Sequence, residues 1–375
     1  MQNPNLKTPS KEPAEPISMS ATEIKIGQQS VGDRHPTFFI ADISANHDGD
    51  LERAKALIHV AAEAGADAAK FQNFRAHHIV SDAGFKALGG QQSHQAKWKH
   101  SVFDVYQSAS LPWEWTPILK AECDAACISY FSTPYDIPAV DMLDPYVPAF
   151  KIGSGDLTWP EIYLHIALKG KPVILATGAS NIGEVQKTVC DILSVNPRLC
   201  LMQCNTNYTA SGDNFRHIHL RVLDTYRVMF PDVILGLSDH TSGCTTILGA
   251  VAKGARVIEK HFTDDVSREG PDHPFSMSPA AWREMVSRTR ELEAALGEPI
   301  KQVAENESET VVIQRRSVRA SRDLPIGTVL KSEDLVCLRP SPPDSIQPYD
   351  VDRAIGRKLQ RPVARYEALR WNQLE

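Results

Sequence analysis

No stretch of the 375-residue sequence approaches the roughly 18 consecutive apolar residues of a membrane span, so no spanning helix is expected. Paired cysteine spacing is missing too. The seven cysteines, at 123, 127, 190, 200, 204, 244 and 337, are an odd number without metal-ligand spacing. Cys123 and Cys127 stand four apart on a predicted helix, a packing arrangement. No structural disulfide is expected, and the reading is a reducing cytoplasm. A basic excess is absent. The formal net charge of −6 argues against nucleic acid as the main partner. Residues 1–22 lack the apolar core of a signal peptide; polar and proline-rich, they read as a disordered tail. A glycine-rich phosphate turn is missing after the first strand, where "SANHDGD" stands, and this disfavours an open doubly wound sheet.

What remains is an ordinary globular composition, 42% apolar and 23% charged, long enough for one large domain and a small one. Two apolar runs end abruptly in polar residues, "VILGLSDHT" and "VIEKHF". A buried strand gains nothing from such a tip unless the tip is a site. Eight β-rich runs are predicted as strands at 38–44, 68–72, 128–133, 149–153, 172–178, 199–205, 233–239 and 257–263. Amphipathic helical patterns alternate with them. "LERAKALIHVAAEAG" places Leu51, Ala54, Leu57, Ile58, Ala61 and Ala62 on one face and stops at Gly65. Eight alternating units predict an α/β fold, a (β/α)8 TIM barrel over 23–297. "EIKIGQQSVG" reads as a hairpin that plugs the bottom of the barrel. Residues 73–110 are an insertion of the length of a lid or partner surface. Residues 298–312 read as a polar linker, and 313–375 as a small β-rich domain whose core is marginal alone.

In such barrels the site lies at the C-terminal ends of the strands. There stand Asp42, Lys70, Gln72, Thr133, Lys151, Ser154, Asp156, Thr177, Asn205, Thr206, Ser238, Asp239, His240, Glu259 and His261. Any one lysine or histidine is more often solvated or structural; their convergence on one rim carries the reading. His240 and His261 end adjacent strands and suit a shared divalent ion with open positions. Lys70 and Lys151, with the hydroxyls of Thr133, Ser154 and Ser238, suit a small phosphorylated anion. Asp42 and Asp156 are candidate acid–base or sugar-hydroxyl groups.

"IADISANHDGDLERAKALIHVAAEAGADAAKFQ", "FSTPYD", "KIGSGD", "GLSDHT", "VIEKHFTDD" and "GPDHPFSM" occur in that order. The set resembles the sialic acid (N-acetylneuraminate) synthase family, with its legionaminic and pseudaminic branches. The tail containing "GTVLKSEDLVCLRP" resembles that family's antifreeze-like SAF domain, a β-clip fold. The resemblance implies condensation of phosphoenolpyruvate with an N-acylated amino sugar, with release of phosphate by C–O cleavage and a requirement for Mn2+ or Mg2+. It implies His240 and His261 as metal ligands. It places phosphoenolpyruvate on Lys70, Thr133, Lys151, Ser154, Thr206 and Ser238. Asp42, Gln72, Tyr208, Asp272 and Arg339 fall on the sugar side, Arg339 from the partner subunit of a domain-swapped homodimer. Asp42, Lys70 and Asp156 are the catalytic candidates. The sequence departs from the family at Asp42 and Asp156, where Glu is common, at Ala176, where Ser is frequent, and at Thr206, where Asn is common. "SANH" and "LPWEW" resemble the pseudaminic branch and "GPDH" the neuraminate branch, so the sugar is left open. Another phosphoenolpyruvate-dependent aldol-type synthase, or a carbohydrate-binding homologue without turnover, stays as an alternative.

Overall fold

Strand parity sorts the barrel into two walls. In the computed structural model, which describes residues 23–88, 95–96, 98–209 and 211–375, the chain opens with an antiparallel hairpin, β1 (Glu23–Ile26) and β2 (Gln29–Gly32). The expected tail, 1–22, lies outside the described residues. Eight strands follow: β3 (Phe38–Asp42), β4 (Ala68–Asn73), β5 (Ser129–Pro134), β6 (Phe150–Ile152), β7 (Val173–Ala176), β8 (Leu199–Cys204), β9 (Ile234–Asp239) and β10 (Ala255–His261). The pairings between them are parallel, and β10 returns to pair with β3. Among the described residues no ladder joins β5 to β6, so the TIM barrel is nearly closed.

Successive side chains on a strand face opposite ways. Phe38, Ile40, Ala68, Phe131, Ile174, Cys200, Met202, Ile234 and Val257 gather in one buried cluster inside the barrel. Ile24, Ile26 and Val31 of the hairpin join that cluster, so the hairpin plugs the bottom as its alternation predicts. The alternate residues, such as Phe39, Ala69, Phe71, Leu175, Leu201, Leu235 and Ile258, belong to a larger cluster under the helices. Helix Leu51–Glu63 shows how the outer layer is set. Asp50 caps it by accepting from Glu52 N and Arg53 N, and Ala54, Leu57, Ile58 and Ala61 are buried. Emptying one such apolar position costs about 2–5 kcal/mol.

The insertion after β4 carries three short helices, Ala76–Ile79, Asp82–Ala87 and Val102–Ala109, with 89–94 and 97 outside the described residues. Cys127, read from the sequence on a helix, lies past the end of Trp115–Ala125 with a left-handed φ of 58°. All seven cysteines are free. No helix of the described residues is long and apolar enough to cross a membrane.

Glu298–Glu375 forms a second unit. Its polar start includes the helix Ser308–Gln314. Beyond that, β11 (Ser317–Ala320) pairs antiparallel with β12 (Leu335–Leu338), and single bridges make most of the other pairings. Val318, Leu324, Leu330, Ile346, Leu359 and Leu369 supply its own core.

Candidate active site

The inward positions turn polar at the C-terminal ends of the strands. Above Ile40 comes Asp42, above Ala68 come Lys70 and Gln72, and above Phe131 comes Thr133; Val257 is followed by Glu259 and His261. Register then brings the functional groups together: His261 is opposite Asp42, Asp42 opposite Lys70, Gln72 opposite Thr133, and Ser238 opposite Glu259.

The floor is a buried charge cluster. Lys70 Nζ donates to Asp42 Oδ2 at 2.7 Å and reaches Thr133 Oγ1 at 3.4 Å. Its distance to Glu259 Oε2 is 3.9 Å. Lys151 Nζ lies 3.3 Å from Glu259 Oε1 and donates at 3.3 Å to the carbonyl of Ile152. Ser238 Oγ donates to Glu259 Oε1 at 3.1 Å. Burial opposes the charge on Lys70, but Asp42 and Glu259 together outweigh it and hold its pKa above the ordinary lysine value. Burial likewise pushes Glu259 up, and Lys151 followed by Lys70 and His261 more than offsets it, so this carboxylate stays ionised. Asp42 Oδ1, Glu259 Oε2 and His261 Nδ1 are buried without a hydrogen-bond partner among the described residues. Such atoms are costly unless a ligand meets them.

His240 and His261 stand side by side, ring centroids 5.4 Å apart. His240 Nδ1 is 2.9 Å from the carbonyl of Asn205, which sets it as the N–H side and leaves Nε2 with its lone pair. Burial first, and then the proximity of His261, pushes the pKa of His240 down to about 3, so the ring is neutral. Two adjacent, buried imidazoles fit a divalent cation. Among the described residues no cluster of three His, Cys, Asp or Glu side chains could hold one alone. Substrate or water would therefore fill the remaining positions.

The other predicted residues fall around this floor. Tyr208 packs edge-on to His240 at 4.4 Å. Asp272 Oδ2 accepts from Ser44 Oγ at 2.5 Å and Ala45 N at 3.2 Å. Gln72 Nε2 reaches Asp42 Oδ2 at 3.4 Å, and its Oε1 lies 3.5 Å from Tyr135 Oη. Ser154 Oγ accepts from Gly178 N at 2.9 Å. A Cβ on Gly178 would lie 2.5 Å from Thr206 Cγ2 and 2.9 Å from Ser154 Oγ, so the turn after β7 closes only with glycine there. Thr206 thus stands beside Ser154 with its methyl toward that turn. Asp156 sits in a short 3-10 turn after β6 with one carboxylate oxygen unpartnered; burial raises its pKa to about 6, against the opposing charge of Lys151. Arg339 belongs to the second unit, where its Nε donates to the carbonyl of Gln314 at 2.6 Å.

Two residues carry more of the site than the sequence suggests. The strand-end reading puts Glu259 on the rim but gives it no role, whereas in the structure both lysines converge on it. Ser44 has no local signal, because its partner Asp272 is 228 residues away.

The sequence profile described as the NeuB family matches residues 57–301, and that of the SAF domain matches 315–375. The N,N'-diacetyllegionaminic acid synthase of Legionella pneumophila is 34% identical, over 90% of this chain and 94% of its own length. The human N-acetylneuraminate-9-phosphate synthase is 32% identical, over 88% and 90% respectively. Among solved structures, the N-acetylneuraminic acid synthetase of Leptospira borgpetersenii, crystallised with citrate, superposes with a TM-score of 0.69 at 28% identity; it covers 78% of this chain and 96% of that one.

Proposed function

The chain belongs to the NeuB family, and on that premise we propose that it condenses phosphoenolpyruvate with an N-acylated amino sugar to give a nonulosonic acid and phosphate. The observation that carries this is the pair of buried lysines on one floor, Lys70 and Lys151, beside the two adjacent histidines His240 and His261. Each ammonium has three donors. Lys151 meets Glu259 and the carbonyl of Ile152 at 3.3 Å, long for a charged group, so it has donors to give to an arriving anion.

C3 of phosphoenolpyruvate attacks the aldehyde carbon of the open-chain sugar, and the aldehyde oxygen takes up a proton. Water adds at C2, and the C2–O bond to phosphate breaks. Lys70 and Lys151, with Thr133, Ser154, Thr206 and Ser238, hold the anionic groups and stabilise the departing phosphate. Asp42, which accepts from Lys70, takes the proton of the water. Asp156, which keeps its proton to about pH 6, serves as the acid. Gln72, Tyr208 and Asp272 orient the sugar. A divalent ion between His240 and His261 would supply Lewis-acid polarisation of a carbonyl oxygen.

We further propose Mn2+ or Mg2+ as that ion and a cytoplasmic location. The proposed assembly is a domain-swapped homodimer in which 298–312 acts as the linker and Arg339 of each copy completes the other's sugar site. This part rests on the resemblance of the tail to the SAF domain. Mixing Arg339→Ala with His240→Ala chains should then restore activity in mixed dimers; mixed dimers that stay inactive would overturn it.

The product of the Legionella enzyme is diacetylated, and that of the human enzyme carries a 9-phosphate. The test of the reaction is phosphate release with Mn2+, phosphoenolpyruvate and a panel of amino sugars. With the bridging oxygen of phosphoenolpyruvate labelled, the label should leave in phosphate. Label retained in the organic acid, or no phosphate with any sugar, would sink the reading.

A further inference from the structure

Two loops meet beside the histidine pair. One runs from the tip of β3, where Asp42 stands, to the helix cap Asp50. The other runs from the tip of β10, where His261 stands, to the helix cap Ser278. Hydrogen bonds stitch them together. Asn46 Nδ2 donates to the carbonyl of Phe262 and to Ser276 Oγ, both at 2.9 Å. Ser276 Oγ donates in turn to the carbonyl of Asp272 at 2.7 Å.

The central link is His273, whose ring is buried. Its Nε2 is 2.9 Å from Asp48 Oδ1, and its Nδ1 is 2.8 Å from Thr263 Oγ1. A carboxylate only accepts, so Nε2 carries a proton toward Asp48. Asp48 Oδ2 accepts from Arg268 at 2.6 and 2.9 Å. Gly270 closes over the ring, since a Cβ there would lie 2.6 Å from His273 Cδ2. The ring therefore ties the loop after β3, through Asp48, to the end of β10, through Thr263.

The neighbours of His273 face the mouth. Asp272 lines a cavity of about 150 Å³, with Ser44, Gln72 and His261. Phe275, in the same 3-10 turn, has its ring centroid 4.8 Å from that of His261 and 6.0 Å from that of His240. His273 itself lines neither that cavity nor the wider hollow outside it.

We infer that His273, oriented by Asp48, is a positioning residue of the site. It touches no reacting atom and acts through Asp272 and Phe275, which it fixes against Ser44 and against the histidine pair. The inference rests on the synthase reading and extends it to residues behind the site. A displacement of about 1 Å at such groups costs on the order of a hundredfold in rate. The effect should fall on the sugar, because neither loop bears a residue assigned to phosphoenolpyruvate.

The test measures Asp48→Gly, Asp48→Asn and Thr263→Val with phosphoenolpyruvate, Mn2+ and the amino sugar that the wild type uses best. Asp48 has a left-handed φ of 53°, which glycine and asparagine both adopt. Asp48→Gly removes the acceptor and should lower kcat/KM for the sugar about 10- to 100-fold, with KM for phosphoenolpyruvate within about twofold of wild type. Asp48→Asn still offers Oδ1 to the ring N–H and should stay within about threefold of wild type on both substrates. Thr263→Val removes one hydrogen bond at nearly constant shape. It should lower kcat/KM for the sugar about three- to tenfold, and it reads the same link should Asp48→Gly not fold. Independently of turnover, the wild type and Asp48→Asn should show a downfield imidazole N–H proton resonance that Asp48→Gly lacks. A merely structural role would lower the unfolding midpoint without separating the two substrates. Equal losses for both substrates, full sugar kcat/KM in the folded Asp48→Gly and Thr263→Val proteins, or Asp48→Asn as impaired as Asp48→Gly overturns the inference and leaves the synthase reading intact. A wild type that uses no sugar overturns both.

Discussion

Two buried lysine–aspartate pairs lie on opposite faces of the barrel strands. Inside, Lys70 meets Asp42 at 2.7 Å. Outside, Lys260 meets Asp239, and both are at most 2% exposed. The outer pair is saturated. Asp239 also accepts from Thr241 and from Thr246 at 3.0 Å, and Lys260 donates to the carbonyl of Thr241 as well. The inner cluster leaves Asp42 Oδ1, Glu259 Oε2 and His261 Nδ1 without hydrogen-bond partners among the described residues. Identical residue types at equal burial therefore serve different ends. A satisfied pair holds strands together, and an unsatisfied one waits for a ligand.

The strongest way to break this contrast is Asp239→Ala. It strands the Lys260 ammonium in the outer wall and should destabilise the fold by about 3–5 kcal/mol, read by chemical denaturation. Removing an inner lysine should act on rate instead. Lys151→Met is expected to lower kcat by roughly 10²–10³-fold, with the unfolding midpoint little changed. If Lys151→Met unfolds the protein while Asp239→Ala leaves it intact, the contrast is reversed.

Asp156 sharpens the inner side. Its folded pKa of about 6 lies above the ordinary 3.8, so the folded state holds the proton more tightly than the unfolded one. That contribution is fully present below pH 3.8 and is lost as pH rises through 6. Between these limits wild type should lose on the order of 2 kcal/mol relative to Asp156→Asn, measured by denaturation at pH 4 and pH 7. A constant difference across that range would show that Asp156 does not titrate there. The smallest effect belongs to the outer wall. Thr246→Val removes one hydrogen bond to Asp239 and should cost about 1–2 kcal/mol without altering kcat.

The same contrast marks what the sequence makes legible. Apolar runs ending in polar residues locate the barrel strands to within a few residues, because strand and helix periods differ and the breaks between them are sharp. Period two also separates Lys260 from Glu259 and His261 once one inward residue is known. What period two does not carry is partnership. That Asp239 is saturated and Glu259 shared follows from register across strands. The Ser44–Asp272 bond spans most of the domain. The small second unit was the least readable, since its pairings are mostly single bridges with little period to detect.

The hairpin at the bottom has a consequence for traffic. Ile24, Ile26 and Val31 stop the N-terminal end of the barrel, so the chamber has its doorway at the strand tips. In a blind corridor the order of arrival is the order of depth. On the proposed roles, the molecule held by Lys70 and Lys151 goes in first, and the sugar then stands between it and the door. Phosphate freed at the back leaves after the acid in front of it. Added phosphate should therefore compete with phosphoenolpyruvate for the same empty protein, and a noncompetitive pattern would mean a second way out.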